Sequence, residues 1–267
     1  MIENKYTMKD TLFPVKEVPA YWELSKKNKG NGTSVREMST GYKFIVREDT
    51  NEVLSCMTNS YKTISNDDIM NKATPVLEEK GAVLTDVRMF GDGARTKWTY
   101  RLNDTKVKVD KDDYLNPEIT ITNSYDGSSE ASAHGGAFRL VCSNGMIIGY
   151  ALSKQGSRHV VWDKSEEIQK IINNVINNTL KVFDSDFPMM IEKEVNKKHI
   201  GKAIEMFPGY VMESMVQNLL AEPPKNYWNL LNNCTWVATH VMKRESESTH
   251  KFEAKIFDTM KKFAAEA

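Results

Sequence analysis

Three cations spaced along Arg95-Thr96-Lys97-Trp98-Thr99-Tyr100-Arg101 form the most informative chemical pattern in the chain. Successive side chains of a strand point to opposite faces, so Arg95, Lys97 and Arg101 share one face while Trp98, Tyr100 and Leu102 share the other. Cations about 7 Å apart on a flat sheet face suit the phosphates of single-stranded nucleic acid, with threonine hydroxyls and nearby aromatics assisting. A solvated strand face with neighbouring carboxylates explains the same residues. Further on, Phe138-Arg139-Leu140-Val141-Cys142-Ser143-Asn144-Gly145 places an arginine and a cysteine on a strand that leads into an Asn-Gly turn. Cys142 stands at an odd offset from Arg139, which puts it on the opposite face, as a small buried hydrophobe. Gly156-Ser157-Arg158-His159 puts Arg158 and His159 in a loop able to contact phosphate or a base. The candidate nucleic-acid-binding residues are therefore Arg95, Lys97, Arg101, Arg139, Arg158 and His159.

Catalytic patterns are missing. His134, His159, His199, His240 and His250 have no zincin spacing, and no Asp/Glu cluster resembles a two-metal site. Gly91-Asp92-Gly93 lacks the lysine and hydroxyl that follow a phosphate-cradling loop. The sequence assigns no catalytic residue, metal or cofactor. An enzyme would need His134, Cys142, Arg158 and His159 to converge, and no spacing requires it. Ser124-Tyr125-Asp126-Gly127-Ser128-Ser129 could hold an anion, but turn chemistry accounts for it. Lys197-Lys198-His199 with Lys202 is a small basic patch of the kind found on solvated helix faces.

Charge sets a limit on partners. Lys and Arg number 36 and Asp and Glu 36, and the balance is local, 12 against 12 in residues 1–80, 10 against 10 in 81–163 and 14 against 14 in 164–267. Bulk charge therefore gives no affinity for polyanions, and nucleic-acid binding has to use a local basic face. Cys56, Cys142 and Cys234 are widely spaced and odd in number, which fits a reducing cytoplasm and no disulfide framework. The start lacks an apolar leader and no run reaches membrane-span length, which argues against export and membrane insertion.

The elements that position these residues divide the chain into an N-terminal arm (1–40), a strand-rich core (41–163) and a helical region packed on it (164–267). Residues 1–40, with Pro14 and Pro19, read as an arm and loop. Tyr42 to Arg47 and Val53 to Met57 flank a turn as a hairpin, and Tyr61 to Ile64 reads as a third strand. Ser65 or Asn66 caps a helix carrying Ile69, Ala73, Val76 and Leu77 on one face and stopping at Gly81. Strands follow at Ala82 to Phe90, Arg95 to Leu102, Glu118 to Asn123, Phe138 to Cys142 and Val160 to Trp162, with the small, polar stretch 124–136 as a separator. From Ser165, the spacing of Ile168, Ile172, Val175, Ile176 and Phe183 predicts an amphipathic helix, with further helices near 188–206, 210–221, 225–243 and 248–265. Strands with one early helix, then mostly helices, make an α+β fold with an N-terminal antiparallel sheet and a helical C-terminal region.

Asn123-Ser124-Tyr125-Asp126-Gly127-Ser128, then Arg139 to Gly145, then Arg158-His159, resemble the central signature of the phage/plasmid-like family, domain of unknown function nine-three-two. Tyr227 to His240 resembles that family's helical segment, with Cys234 where the family often has a small residue. More distantly, the strand-rich core is similar to single-strand annealing proteins of the Rad-fifty-two, Red-beta and Erf kind. The resemblance implies a phage- or plasmid-encoded protein in a bacterial cytoplasm, assembling as a homo-oligomer on single-stranded DNA in annealing or recombination. A protein-interaction factor that inhibits a host or defence protein through its C-terminal helices is the alternative.

Overall fold

The computed structural model describes residues 6–27, 33–110, 113–139, 146–147, 165–242 and 246–267. A one-turn helix, α1 (Met8–Thr11), leads into β1 (Val15–Lys27). β1 pairs antiparallel with β2 (Thr33–Arg47), and β3 (Val53–Thr58) pairs with the other side of β2. The expected hairpin between β2 and β3 is present, its turn holding Asn51 at φ 60°. The arm and loop expected over 1–40 is instead mostly strand. Val15, Val18, Tyr21 and Trp22 favour extended backbone, and Pro19 is tolerated because β1 is an edge strand. Residues 61–64 form no strand either, since side chains take their carbonyls: Lys43 Nζ donates to Tyr61 O at 2.6 Å and Asn123 Nδ2 to Ile64 O at 3.0 Å.

Ser65 caps α2 (Asn66–Glu79) by accepting from the Asp68 N–H at 2.9 Å, and the helix stops at Gly81, whose φ of 68° few other residues adopt. β4 (Ala82–Phe90) and β5 (Arg95–Leu102) flank a tight turn at Gly91–Gly93. With β6 (Val107–Asp110), β7 (Asp113–Ser124), β8 (Ser132–Arg139) and β9 (Met146–Ile147) they form a six-stranded antiparallel sheet, ordered β4-β5-β7-β8-β9 with β6 also on β7. β8 begins inside the stretch expected to separate strands. Ala133 there is small because helix α3 (Ser165–Lys181) packs against this strand, so a small residue marks close approach here, not a loop. Residues 140–142 and 160–162 lie outside the described residues.

One face of this sheet makes the first core. Trp98, Tyr100, Ile119, Ile121 and Ala133 pack on Ile69, Ala73 and Leu77 of α2 and on Ile168, Ile172 and Ile176 of α3. A π-helical turn, Val182–Asp186, then leads into α4 (Phe187–Glu192), α5 (Lys197–Glu205), α6 (Met212–Ala221), α7 (Tyr227–His240) and α8 (Ser246–Glu266). Their core is aromatic: Phe187 meets Phe183, Trp228 and Phe257 edge-on, with ring centroids 5.0, 5.3 and 5.8 Å away. Phe13, Ile45 and Tyr125 join the three-stranded sheet to the six-stranded one. The chain is α+β, antiparallel sheets first and helices after.

Candidate functional site

The face of the six-stranded sheet turned away from α2 and α3 is polar, and register shows how it is built. Arg101 sits between Val83 and Glu118, Thr99 between Asp86 and Thr120, Lys97 between Arg88 and Thr122, and Arg95 between Phe90 and Ser124. β8 extends three of these rungs, placing Gly136 beside Glu118, His134 beside Thr120 and Ser132 beside Thr122. Ser132 Oγ lies 2.7 Å from Thr122 Oγ1 and 2.8 Å from His134 Nε2, a hydroxyl–imidazole chain across the face. The face is most accessible along β4 and the start of β5, where Arg88, Phe90 and Arg95 are exposed.

Each arginine here has a carboxylate nearby. Arg101 gives two hydrogen bonds to Glu118 Oε1, at 3.1 and 2.8 Å, in a pair whose side chains are only 22% and 14% exposed. Arg88 Nε donates to Asp86 at 2.6 Å, and Arg95 lies 3.6 Å from Asp126 and above the Phe90 ring, 5.8 Å from its centroid. Lys97 stands among these pairs. Burial and the adjacent Arg88 pull its ammonium pKa down, against the opposing pull of Asp86 and Glu118. Burial also raises the Glu118 carboxyl, although Arg101 acts to lower it.

The alternation expected for β5 is observed: Trp98, Tyr100 and Leu102 are buried, while Arg95, Lys97 and Arg101 lie on the polar face. Arg139 ends β8 opposite Leu115; along β7, Arg101 faces Glu118 three residues on, or about 10 Å at strand rise, and Arg95 faces Ser124 nine residues on, or about 30 Å. Arg158 and His159 lie outside the described residues. Sequence reasoning missed Arg88, Phe90, Thr120, Thr122, Ser132 and His134 as neighbours of the β5 cations. The signal was available in the two-residue period of Asp86, Arg88 and Phe90 and of Glu118, Thr120 and Thr122.

The signature stretch starting at Asn123 organises a buried joint. Asn123 Nδ2 donates to Asn66 Oδ1 at 2.8 Å, and Asn66 Nδ2 donates to Thr11 O at 2.7 Å and Thr96 Oγ1 at 3.2 Å. The Asn66 N–H donates to the Tyr125 hydroxyl at 2.8 Å, and Trp98 Nε1 donates to Thr11 Oγ1 at 3.0 Å. Asp126 Oδ1 accepts from the Ser128 N–H at 2.9 Å, and Gly127 has φ 68°, so this segment is a turn as its residue types predict. The late helical signature is also structural. Asn226 caps α7, Asn233 Nδ2 donates to Glu222 O at 2.9 Å, and the Tyr227 hydroxyl lies 2.7 Å from His199 Nδ1.

An α+β scaffold with helices on one sheet face and a lattice of cations and hydroxyls on the other is the class these features define. Residues 53–251 match the family described as Domain of unknown function (DUF932), and the chain belongs to that family. No curated protein and no solved structure matches the chain. No described helix is long and apolar enough to cross a membrane, and no cluster of metal-ligating side chains occurs among the described residues.

Proposed function

We propose that this is a single-stranded nucleic-acid-binding protein, phage- or plasmid-encoded and acting in DNA annealing or recombination as a homo-oligomer in the bacterial cytoplasm. One observation carries the reading: Arg88, Arg95, Lys97 and Arg101 share a sheet face with rows of hydroxyls. Cations spaced along strands track a backbone, hydroxyls donate to phosphate oxygens, and Phe90 beside Arg95 offers a ring to a base. The sequence resemblance to annealing proteins points the same way. The near neutrality of the face, with carboxylates beside its arginines, favours a modest, salt-sensitive affinity. Fluorescence polarisation of a labelled twenty-nucleotide oligo-dT across a salt series tests it. Binding that weakens with salt, and weakens further in Arg95→Ala and Lys97→Ala, is the expected result. No binding at low salt overturns the reading and turns attention to a host-protein partner.

A further inference from the structure

One rung of the polar sheet face sets two cations side by side. Arg88 on β4 stands opposite Lys97 on β5, Lys97 opposite Thr122 on β7, and Thr122 opposite Ser132 on β8, so the four side chains form a row across neighbouring strands. Like charges directly opposite one another across a strand pair cost stability. Among the described residues, the ion pairs of this face join Arg88 to Asp86, Arg95 to Asp126 and Arg101 to Glu118, and none of them includes Lys97. Burial and Arg88 both disfavour the Lys97 ammonium, so an anion beside it would relieve the repulsion. Arg88 is exposed and Lys97 and Thr122 are half-buried, which opens the row toward the edge strand β4.

The far side of Lys97 supplies a hydroxyl. Ser132 Oγ lies 2.7 Å from Thr122 Oγ1 and 2.8 Å from His134 Nε2. Each hydroxyl has one proton to give. When His134 Nε2 carries a proton, it donates to Ser132, Ser132 donates to Thr122, and the Thr122 proton is left for a further acceptor. When Nε2 accepts, the chain runs the other way and Thr122 spends its proton on Ser132. An anion on the row therefore selects the Nε2–H form of His134. Arg88 and Thr122 flank Lys97 from strands about 10 Å apart. A tetrahedral group with acceptor oxygens in several directions can use both flanks, whereas a planar carboxylate serves one.

We propose that the row of Arg88, Lys97 and Thr122 seats one phosphate group, with Ser132 and His134 holding the Thr122 hydroxyl in its donating direction. A phosphodiester of a bound strand and a free phosphate offer the same oxygens, and the first of these sources rests on the nucleic-acid reading above.

The test is thermal melting of the full chain in sodium phosphate, sodium acetate and sodium chloride at matched ionic strength, alongside oligo-dT binding in chloride. Each variant is read as the difference between its own melting temperatures, so a change in basal stability does not obscure the result. Phosphate alone should raise the melting temperature, and added phosphate should compete with oligo-dT. Lys97→Met should lose the phosphate shift and weaken oligo-dT binding about tenfold or more. Thr122→Val and Ser132→Ala should weaken both ligands about three- to tenfold, with Thr122→Ser close to wild type. Equal melting temperatures in phosphate and chloride, with Thr122→Val binding oligo-dT normally and the Arg95→Ala defect intact, overturn the seat and leave the sheet-face reading standing. Equal shifts in acetate and phosphate overturn the assignment to phosphate. A phosphate shift that Lys97→Met abolishes, in a wild-type chain that binds no oligo-dT, overturns the nucleic-acid reading and supports the seat as a site for free phosphate.

Discussion

Lys97 sits in surroundings that disfavour its charged form. A lysine whose folded-state pKa is depressed contributes stability that is full above its ordinary pKa and lost as pH falls through the folded value, so at neutral pH its ammonium works against folding. Lys97→Met should therefore stabilise the protein by about 0.5–2 kcal/mol in urea unfolding, while weakening oligo-dT binding. A destabilised variant would show that the ammonium makes compensating contacts. Glu118 occupies Arg101 in the opposite sense. Glu118→Gln removes a charge that burial disfavours, so it should change stability by no more than about 1 kcal/mol, yet release Arg101 toward phosphate. The slope of log affinity against log salt should then steepen by about 0.7; an unchanged slope would mean that Arg101 does not reach the bound strand.

Among the elements, α2 depends on its first residue more than on its cap. Ser65→Ala removes one capping bond and should cost about 1 kcal/mol. Asn66→Ala removes the partner of Thr11, Thr96 and Asn123 together from a fully buried site and should cost about 2–4 kcal/mol, read as a shifted urea midpoint with unchanged slope. Much of this architecture was legible in the sequence because local rules settle it. A cap at Ser65 or Asn66, the face of Ile69 to Leu77, the limits of β4 and β5 and the amphipathic α3 all follow from period and capping chemistry, and the structure settles the cap on Ser65. What was not legible depends on distant partners. Residues 61–64 look like a strand until Lys43 and Asn123 take their carbonyls, and β1 looks like a loop until β2 pairs with it. Ala133 looks like a linker residue until α3 lies on it. The candidate site divides in the same way: one strand of the face was readable from β5 alone, but its neighbours required the register.

In the molecule as a whole, the two sheets should respond differently to acid. Hydrogen bonds from Arg47 hold the Asp49 carboxyl below its ordinary range, and burial of Glu17 is outweighed by Lys43 and Thr63, which lower it as well. Groups with depressed pKa contribute stability above about pH 4.5 and lose it as pH falls through their folded-state values. Glu118, with a raised pKa, does the reverse: its contribution is full below its ordinary pKa and is lost as pH rises through the folded value. Acidification toward pH 3 should thus loosen the three-stranded sheet before β5 and β7, seen as earlier hydrogen exchange of β1–β3 amides; simultaneous exchange would show that the sheets open as one unit. The joint around Asn66 has a different consequence, for synthesis. It draws on Thr11, Asn66, Thr96, Trp98, Asn123 and Tyr125, so a ribosome-bound chain cannot close it until Tyr125 has been made. At roughly 5–20 residues per second, α1 waits on the order of ten seconds for its last partner. During that interval the emerging hairpin, with Trp22 and Tyr21 already displayed, is the part of the nascent chain most open to chaperones and to neighbouring chains on the same message.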